Sequence, residues 1–90
     1  ARALPVAMLD EYAGTYARSE TTALTLRRDG DHLVGERAGR PPQVMRAEAN
    51  DVFFTPNRPR TRQIFTRAAD GTVTGFVERR EGEDLVWRKR

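Results

Sequence analysis

The sequence predicts a mainly β fold, a small eight-stranded antiparallel up-and-down barrel with one short N-terminal helix; a β-sandwich is the alternative arrangement of the same strands. Two observations carry this expectation. From Gly14 onward, short runs alternate apolar and polar residues. Turn signals cut those runs about every ten residues. The cuts fall at Arg28-Asp29-Gly30-Asp31, Ala38-Gly39-Arg40-Pro41-Pro42, Ala49-Asn50-Asp51, Pro56-Asn57-Arg58-Pro59, Ala69-Asp70-Gly71 and Glu81-Gly82-Glu83.

Pro5 to Tyr12 is the helix candidate. Proline suits a first helical turn, Met8, Leu9 and Tyr12 share a face, and Gly14 can stop the helix. A helix of one or two turns is unstable alone, so this one must dock on the sheet. Tyr16 begins the first strand. Leu24 and Leu26 mark one face of the second, and His32 to Arg37 follows across the Asp29-Gly30 hairpin signal. Gln43 to Ala47 and Val52 to Thr55 give the fourth and fifth strands, with Pro41 and Pro42 confined to the entering loop. Thr61 to Arg67 and Thr72 to Glu78 pair across Ala69-Asp70-Gly71. Asp84 to Arg90 closes the pattern, with Leu85 and Trp87 on one face.

Ninety residues make one domain, spanning 1–90 with residues 1–8 as leader and helix start, and a chain of this size supports one modest core. No apolar run approaches the ~20 residues needed to span a membrane as a helix. No signal peptide is visible, and the lack of an initial Met is expected of a processed product or an excised piece. The chain has no cysteine, which excludes disulfides and thiolate metal sites. Net charge is +3, from fifteen Arg and the single Lys89 against thirteen acidic residues. Arginine with so little lysine is what a GC-rich genome's codon usage produces. The interspersed acids favour a solvated surface over a field built to steer a polyanion.

The chain holds no recognisable catalytic constellation. Ser19 is the only serine and His32 the only histidine, and Arg18-Ser19-Glu20-Thr21 matches neither a nucleophile elbow nor a Ser-x-x-Lys spacing. One His cannot build a zinc site, so no metal or cofactor is implied. Glu78, Glu81, Glu83 and Asp84 read as a charged hairpin tip rather than a cation site. The aromatic set Tyr12, Tyr16, Phe54, Phe65 and Trp87 is expected inside the barrel, where it either packs solid or lines a cavity for one small apolar ligand. Arg58, Arg60 and Arg62 alternate beside Pro56 and Pro59. An extended backbone would array their guanidiniums as a comb for a carboxylate, a phosphate or an acidic partner. Nucleic acid is not the expected partner, because no aromatics interleave with these arginines for stacking.

Leu9-Asp10-Glu11-Tyr12-Ala13-Gly14-Thr15-Tyr16 resembles the Leu-x-x-Tyr-x-Gly-x-Tyr opening of a lipocalin-like domain of unknown function. That domain is usually found at the C-terminus of bacterial serine hydrolases of the β-lactamase and penicillin-binding-protein-like class. The similarity continues through Leu24-Thr25-Leu26, Asp29-Gly30-Asp31-His32-Leu33, Phe53-Phe54, Phe65-Thr66-Arg67, Asp70-Gly71 and Val73-Thr74-Gly75-Phe76-Val77, and covers about residues 9 to 90. The resemblance implies an eight-stranded barrel acting as a non-catalytic accessory module. It would contact its own catalytic domain or an oligomer partner, in a bacterial extracytoplasmic setting. Two features depart from the pattern: Gln63, where an apolar residue is usual, and the basic loop from Arg58 to Arg62. The leading expectation is therefore a protein-contact module beside a serine hydrolase. Small-molecule or lipid binding in the barrel interior is the alternative.

Overall fold

The structure, a computed structural model, describes residues 4–90; the first three residues of the expected leader lie outside the described residues. Among the described residues, one five-residue helix, α1 (Val6–Asp10), precedes eight strands. These are β1 (Gly14–Ala17), β2 (Ala23–Asp29), β3 (His32–Glu36), β4 (Gln43–Ala49), β5 (Val52–Phe54), β6 (Arg62–Arg67), β7 (Val73–Arg80) and β8 (Glu83–Lys89). Each strand pairs antiparallel with its sequence neighbour, and β8 pairs back onto β1. The barrel is closed, so the sandwich alternative falls.

Local chemistry explains the turns. Asp29 pairs with His32, leaving Gly30-Asp31 as a two-residue loop with Gly30 at φ 62°. Glycine at the first loop position with positive φ is what a tight hairpin needs. The predicted turn at Asp29-Gly30 is thus shifted by one residue. Glycine is required at a second place for a different reason. A Cβ on Gly75 would lie 2.2 Å from the Trp87 carbonyl oxygen. The β6–β7 register shifts beside it, between Thr66 and Arg67, and only a residue without a side chain lets the two backbones approach that closely.

Alternation places one set of side chains inside. Tyr16, Leu24, Leu26, Leu33, Met45, Ala47, Phe53, Phe65, Phe76 and Trp87 are all buried there, with Leu4, Leu9 and Tyr12 packed on from the N-terminal segment. The aromatic rings form a chain of mostly edge-on contacts. Tyr12 meets Phe65 at 4.7 Å and Phe53 at 5.0 Å, Phe65 meets Phe76 at 5.0 Å, and Phe76 stacks on Trp87 at 5.8 Å. Such pairs add about 0.5–1.5 kcal/mol each beyond their burial. This half of the interior is solidly filled.

Phe54 is a correction. It was expected inside, but the inward position belongs to Phe53, which is wholly buried, while Phe54 faces outward under the Arg62 guanidinium at 5.8 Å. Gln63, the residue that departs from the resemblance, points inward between Phe53 and Glu78 on the neighbouring strands. Strand β6 keeps its expected orientation, with a polar side chain in the core.

The helix closes one end of the barrel through a polar latch. Arg67, near the end of β6, donates to Asp51 Oδ1 at 2.9 Å and Oδ2 at 3.2 Å, to Glu11 Oε1 at 2.7 Å and to the Gly71 carbonyl at 2.7 Å. Its guanidinium also lies 5.4 Å from the Tyr12 ring centre. Tyr12 donates its hydroxyl hydrogen to Asp51 Oδ1 at 2.7 Å and accepts from the Asp51 amide at 3.1 Å. Tyr16 in turn donates to the Tyr12 carbonyl at 2.7 Å. Helix, β4–β5 turn and β6 are thereby tied together at this end.

Candidate ligand-binding site at the open end of the barrel

Strand direction separates the loops into two groups. The helix end carries α1 and the β2–β3, β4–β5 and β6–β7 turns; the opposite end carries residues 18–22, 37–42, 55–61 and 81–82. Both ends carry acids and arginines. Asp10, Glu11 and Asp51 at the helix end are paired with Arg28 and Arg67, while Arg18, Arg37, Arg40, Arg58 and Arg60 lie at the open end with Glu20 and Glu81. One barrel mouth is plugged by the helix, and the other is open with several arginines around it.

At the open mouth lies a cavity of about 570 Å³, within the range typical of small-molecule sites. Inward-facing Leu24, Gly35, Gln43 and Thr55 form its inner wall, and Arg37, Arg40, Pro42, Asn57, Arg58 and Arg80 form the rim. Val44 and Arg46, on the outward face of β4, also line it, so the depression continues over that edge.

The rim arginines differ in their engagement. Arg80 is held by Glu78 at 3.1 Å and Glu83 at 3.9 Å, and Arg46 lies 3.8 Å from Asp31. Arg37 lies over Trp87, 5.5 Å from its ring centre, with Arg18 at 5.6 Å. Among the described residues, no carboxylate comes within 4.0 Å of Arg37, Arg40 or Arg58.

Beneath the rim sits a buried polar trio. Gln43 Nε2 donates to Thr55 Oγ1 at 2.8 Å, and Gln63 Nε2 donates to the same oxygen at 3.1 Å. Thr55 is 7% exposed and Gln63 is wholly buried. Among the described residues, Gln63 Oε1 has no hydrogen-bond partner, nor does the Trp87 indole Nε1. Buried polar atoms are nearly always paired. Gln63 and Trp87 do not line the cavity, and the trio meets it through Gln43 and Thr55.

The predicted comb of Arg58, Arg60 and Arg62 does not exist as expected. The Arg58 amide donates to the Thr55 carbonyl, and the Thr61 amide to the Arg58 carbonyl, both at 3.1 Å. These are two successive turns. The first has Pro56 in second place and Asn57 in third at φ 70°, the pattern of a type II turn. The prolines fold the loop instead of extending it. The three side chains scatter: Arg58 lines the cavity, Arg60 pairs with Glu81 at 2.9 Å, and Arg62 bonds Glu48 on the outer face.

Of the aromatic candidates, Tyr12, Tyr16, Phe65 and Trp87 are buried, and none of them lines the cavity. Tyr16 is raised well above the usual tyrosine range by burial and by its neighbour Tyr12. Tyr12 is raised by burial and by its hydrogen bond to Asp51. Ser19 and His32 lie at opposite ends of the barrel, so they cannot act as a nucleophile and its base. Among the described residues, no group of three or more His, Asp or Glu is placed to hold a metal ion. The tip acids Glu78, Glu83, Asp84 and Glu81 are taken up by Arg80, Arg79 and Arg60. Among the described residues, no helix is long and apolar enough to cross a membrane.

Sequence reasoning missed Gln43, Thr55, Arg37 and Arg40 as site residues. The alternation of β4 already put Gln43 on the inward face with Met45 and Ala47, next to a long open-end loop, and that was the available signal; the side Thr55 takes follows only from the pairing of β5. No protein-family model, no curated protein and no solved structure matches the chain.

Proposed function

We propose that this chain is a non-catalytic barrel that binds a small ligand in its open mouth. The observation that carries the reading is the coincidence of a cavity of about 570 Å³ with a buried polar trio whose hydrogen bonds are incomplete. The remainder of the interior is filled by aromatics, so the ligand belongs at the mouth and not along the barrel axis. Small-molecule screening by thermal shift, followed by amide chemical-shift mapping, tests this. A saturable one-to-one binder that perturbs Gln43, Thr55 and Arg58 supports the reading. A screen in which every binder perturbs only other surfaces overturns it.

A second reading is favoured by a separate feature. Val52, Ile64, Val77 and Val86 are consecutive cross-strand partners on β5 to β8, all facing outward, with Val86 52% exposed. A row of apolar side chains on an outer sheet face suits a protein contact, as an accessory module beside a serine hydrolase domain would need. Val86→Lys together with Ile64→Lys should abolish such a contact and leave the mouth's ligand binding intact. Association unaffected by the pair removes this reading.

A further inference from the structure

The chemistry of the mouth narrows the ligand class. Thr55 Oγ1 accepts two hydrogen bonds, from Gln43 and from Gln63. A hydroxyl has two acceptor sites and one hydrogen. With both acceptor sites filled, the Thr55 hydroxyl has only its hydrogen left to offer. Gln63 Oε1, the trio's unpaired acceptor, belongs to a residue that does not line the cavity, so what the trio offers the cavity is the Thr55 hydrogen. The inner wall asks for an acceptor at that point.

The rim asks for the same thing with charge. Among the described residues, Arg37, Arg40 and Arg58 line the cavity without a carboxylate partner, while the acids of the nearby β7–β8 tip are held by Arg60, Arg79 and Arg80. Guanidiniums bind carboxylates through paired, charge-assisted hydrogen bonds. A ligand with one negative charge would leave most of the rim uncompensated. The wall is mixed, with Leu24, Val44 and the loop prolines set among arginine, glutamine, threonine and asparagine.

We infer that the mouth binds a small polycarboxylate, with its carboxylates received by the unpaired guanidiniums of Arg37, Arg40 and Arg58 and by the Thr55 hydroxyl. The inference rests on the ligand-binding reading above and specifies its ligand. Nucleic acid does not fit the same arginines, because Trp87, the ring that Arg37 overlies, is buried beneath Arg18 and Arg37 and offers no face for stacking.

The test is a charge series on one carbon skeleton: butyrate, glutarate and tricarballylate, with glutaramide as the uncharged counterpart and inorganic phosphate as a simple anion. Binding is read by calorimetry and by the fluorescence of Trp87, the only tryptophan, whose ring lies against Arg37. Affinity should rise about tenfold with each carboxylate, as expected for charge-assisted hydrogen bonds. It should fall as salt rises from about 0.1 to 1 M. Arg40→Gln with Arg58→Gln, both in exposed loops, should weaken tricarballylate at least about tenfold. Arg60→Gln, whose guanidinium is held by Glu81 outside the cavity, should leave it unchanged. Glutaramide binding as tightly as glutarate, phosphate matching tricarballylate, or indifference to the Arg40/Arg58 pair would overturn the polycarboxylate assignment while leaving a small-ligand site standing. Failure of every member of the series, glutaramide included, would overturn the assignment, while the broader screen separately decides whether the mouth binds any small ligand.

Discussion

Replacing Arg67 with Met tests whether the latch at the helix end holds the barrel shut. Methionine keeps the length and apolar stem of the side chain and removes its charge and donors. The Arg67 side chain is 22% exposed and that of Asp51 31%, so their pair is partly screened. It merits about 1–2 kcal/mol, between the values for exposed pairs and for buried charged hydrogen bonds. The more exposed Glu11 contact adds roughly 0.2–1 kcal/mol, and the approach to Tyr12 adds about 0.5–1 kcal/mol. The bond to the Gly71 carbonyl contributes about 1 kcal/mol. Against these stand the rotamer freedom that arginine loses, up to about 2 kcal/mol, and its unpartnered buried Nη2. The net expectation is a loss of about 2–3 kcal/mol. A domain of this size has roughly 5–13 kcal/mol in total, and its melting temperature falls roughly 4–8 °C per kcal/mol. Thermal unfolding followed by circular dichroism should therefore show a drop of about 8–24 °C. Glu11→Gln should cost less than Asp51→Asn. An Arg67→Met protein that melts within about 2 °C of the parent would show that the helix is held by burial of Leu4, Leu9 and Tyr12 alone.

Three other outcomes follow from the same packing. Phe53→Ala should cost about 3–5 kcal/mol in denaturant titration, and Phe54→Ala only about 1–2 kcal/mol; equal costs would contradict the register of β5. Gly75→Ala should destabilise by about 3 kcal/mol or more, because its Cβ would meet the Trp87 carbonyl at 2.2 Å; an unchanged denaturation midpoint would refute that contact. Both tyrosines are raised from the ordinary value of 10.0, so their contribution is full below that pH. It is lost as pH climbs further, because the unfolded chain ionises while the folded one resists. Tyrosinate absorbance should therefore appear together with loss of native circular dichroism. A simple titration near pH 10 with the fold intact would be the contrary result.

The barrel was legible because its signals are local. Hairpin loops need particular backbone conformations, and Gly30, Gly71 and Gly82 adopt them, with φ of 62°, 88° and 81°. Strand faces were legible wherever polar and apolar residues alternate, as in Leu24-Thr25-Leu26. In Val52-Phe53-Phe54-Thr55 they do not alternate, and the side that Phe53 takes is decided by pairing with Ala47 and Gln63 on other strands. The arginine loop misled for another reason. Proline fixes only its own φ, which suits the second place of a turn as well as an extended chain. The latch of Glu11, Asp51 and Arg67 and the trio of Gln43, Thr55 and Gln63 are each assembled from three separate segments of the chain, and no short stretch of sequence announces either.

The two register pairs that join β1 to β8, Tyr16 with Lys89 and Ala17 with Arg88, form the shortest ladder in the barrel. All the other ladders join strands adjacent in sequence and can form one hairpin at a time, each closing only a short loop. The seam alone brings together segments from opposite ends of the chain, and it gains little until the other ladders are in place. The sheet thus assembles as a curling ribbon whose final step is to meet its own edge. Where the last bonds to form are also few, they are the first to break. A ribbon that opens there presents two matched edges, each complementary to the other edge of a second open copy. The same geometry that seals one molecule is thus a template for exchanging strands between two.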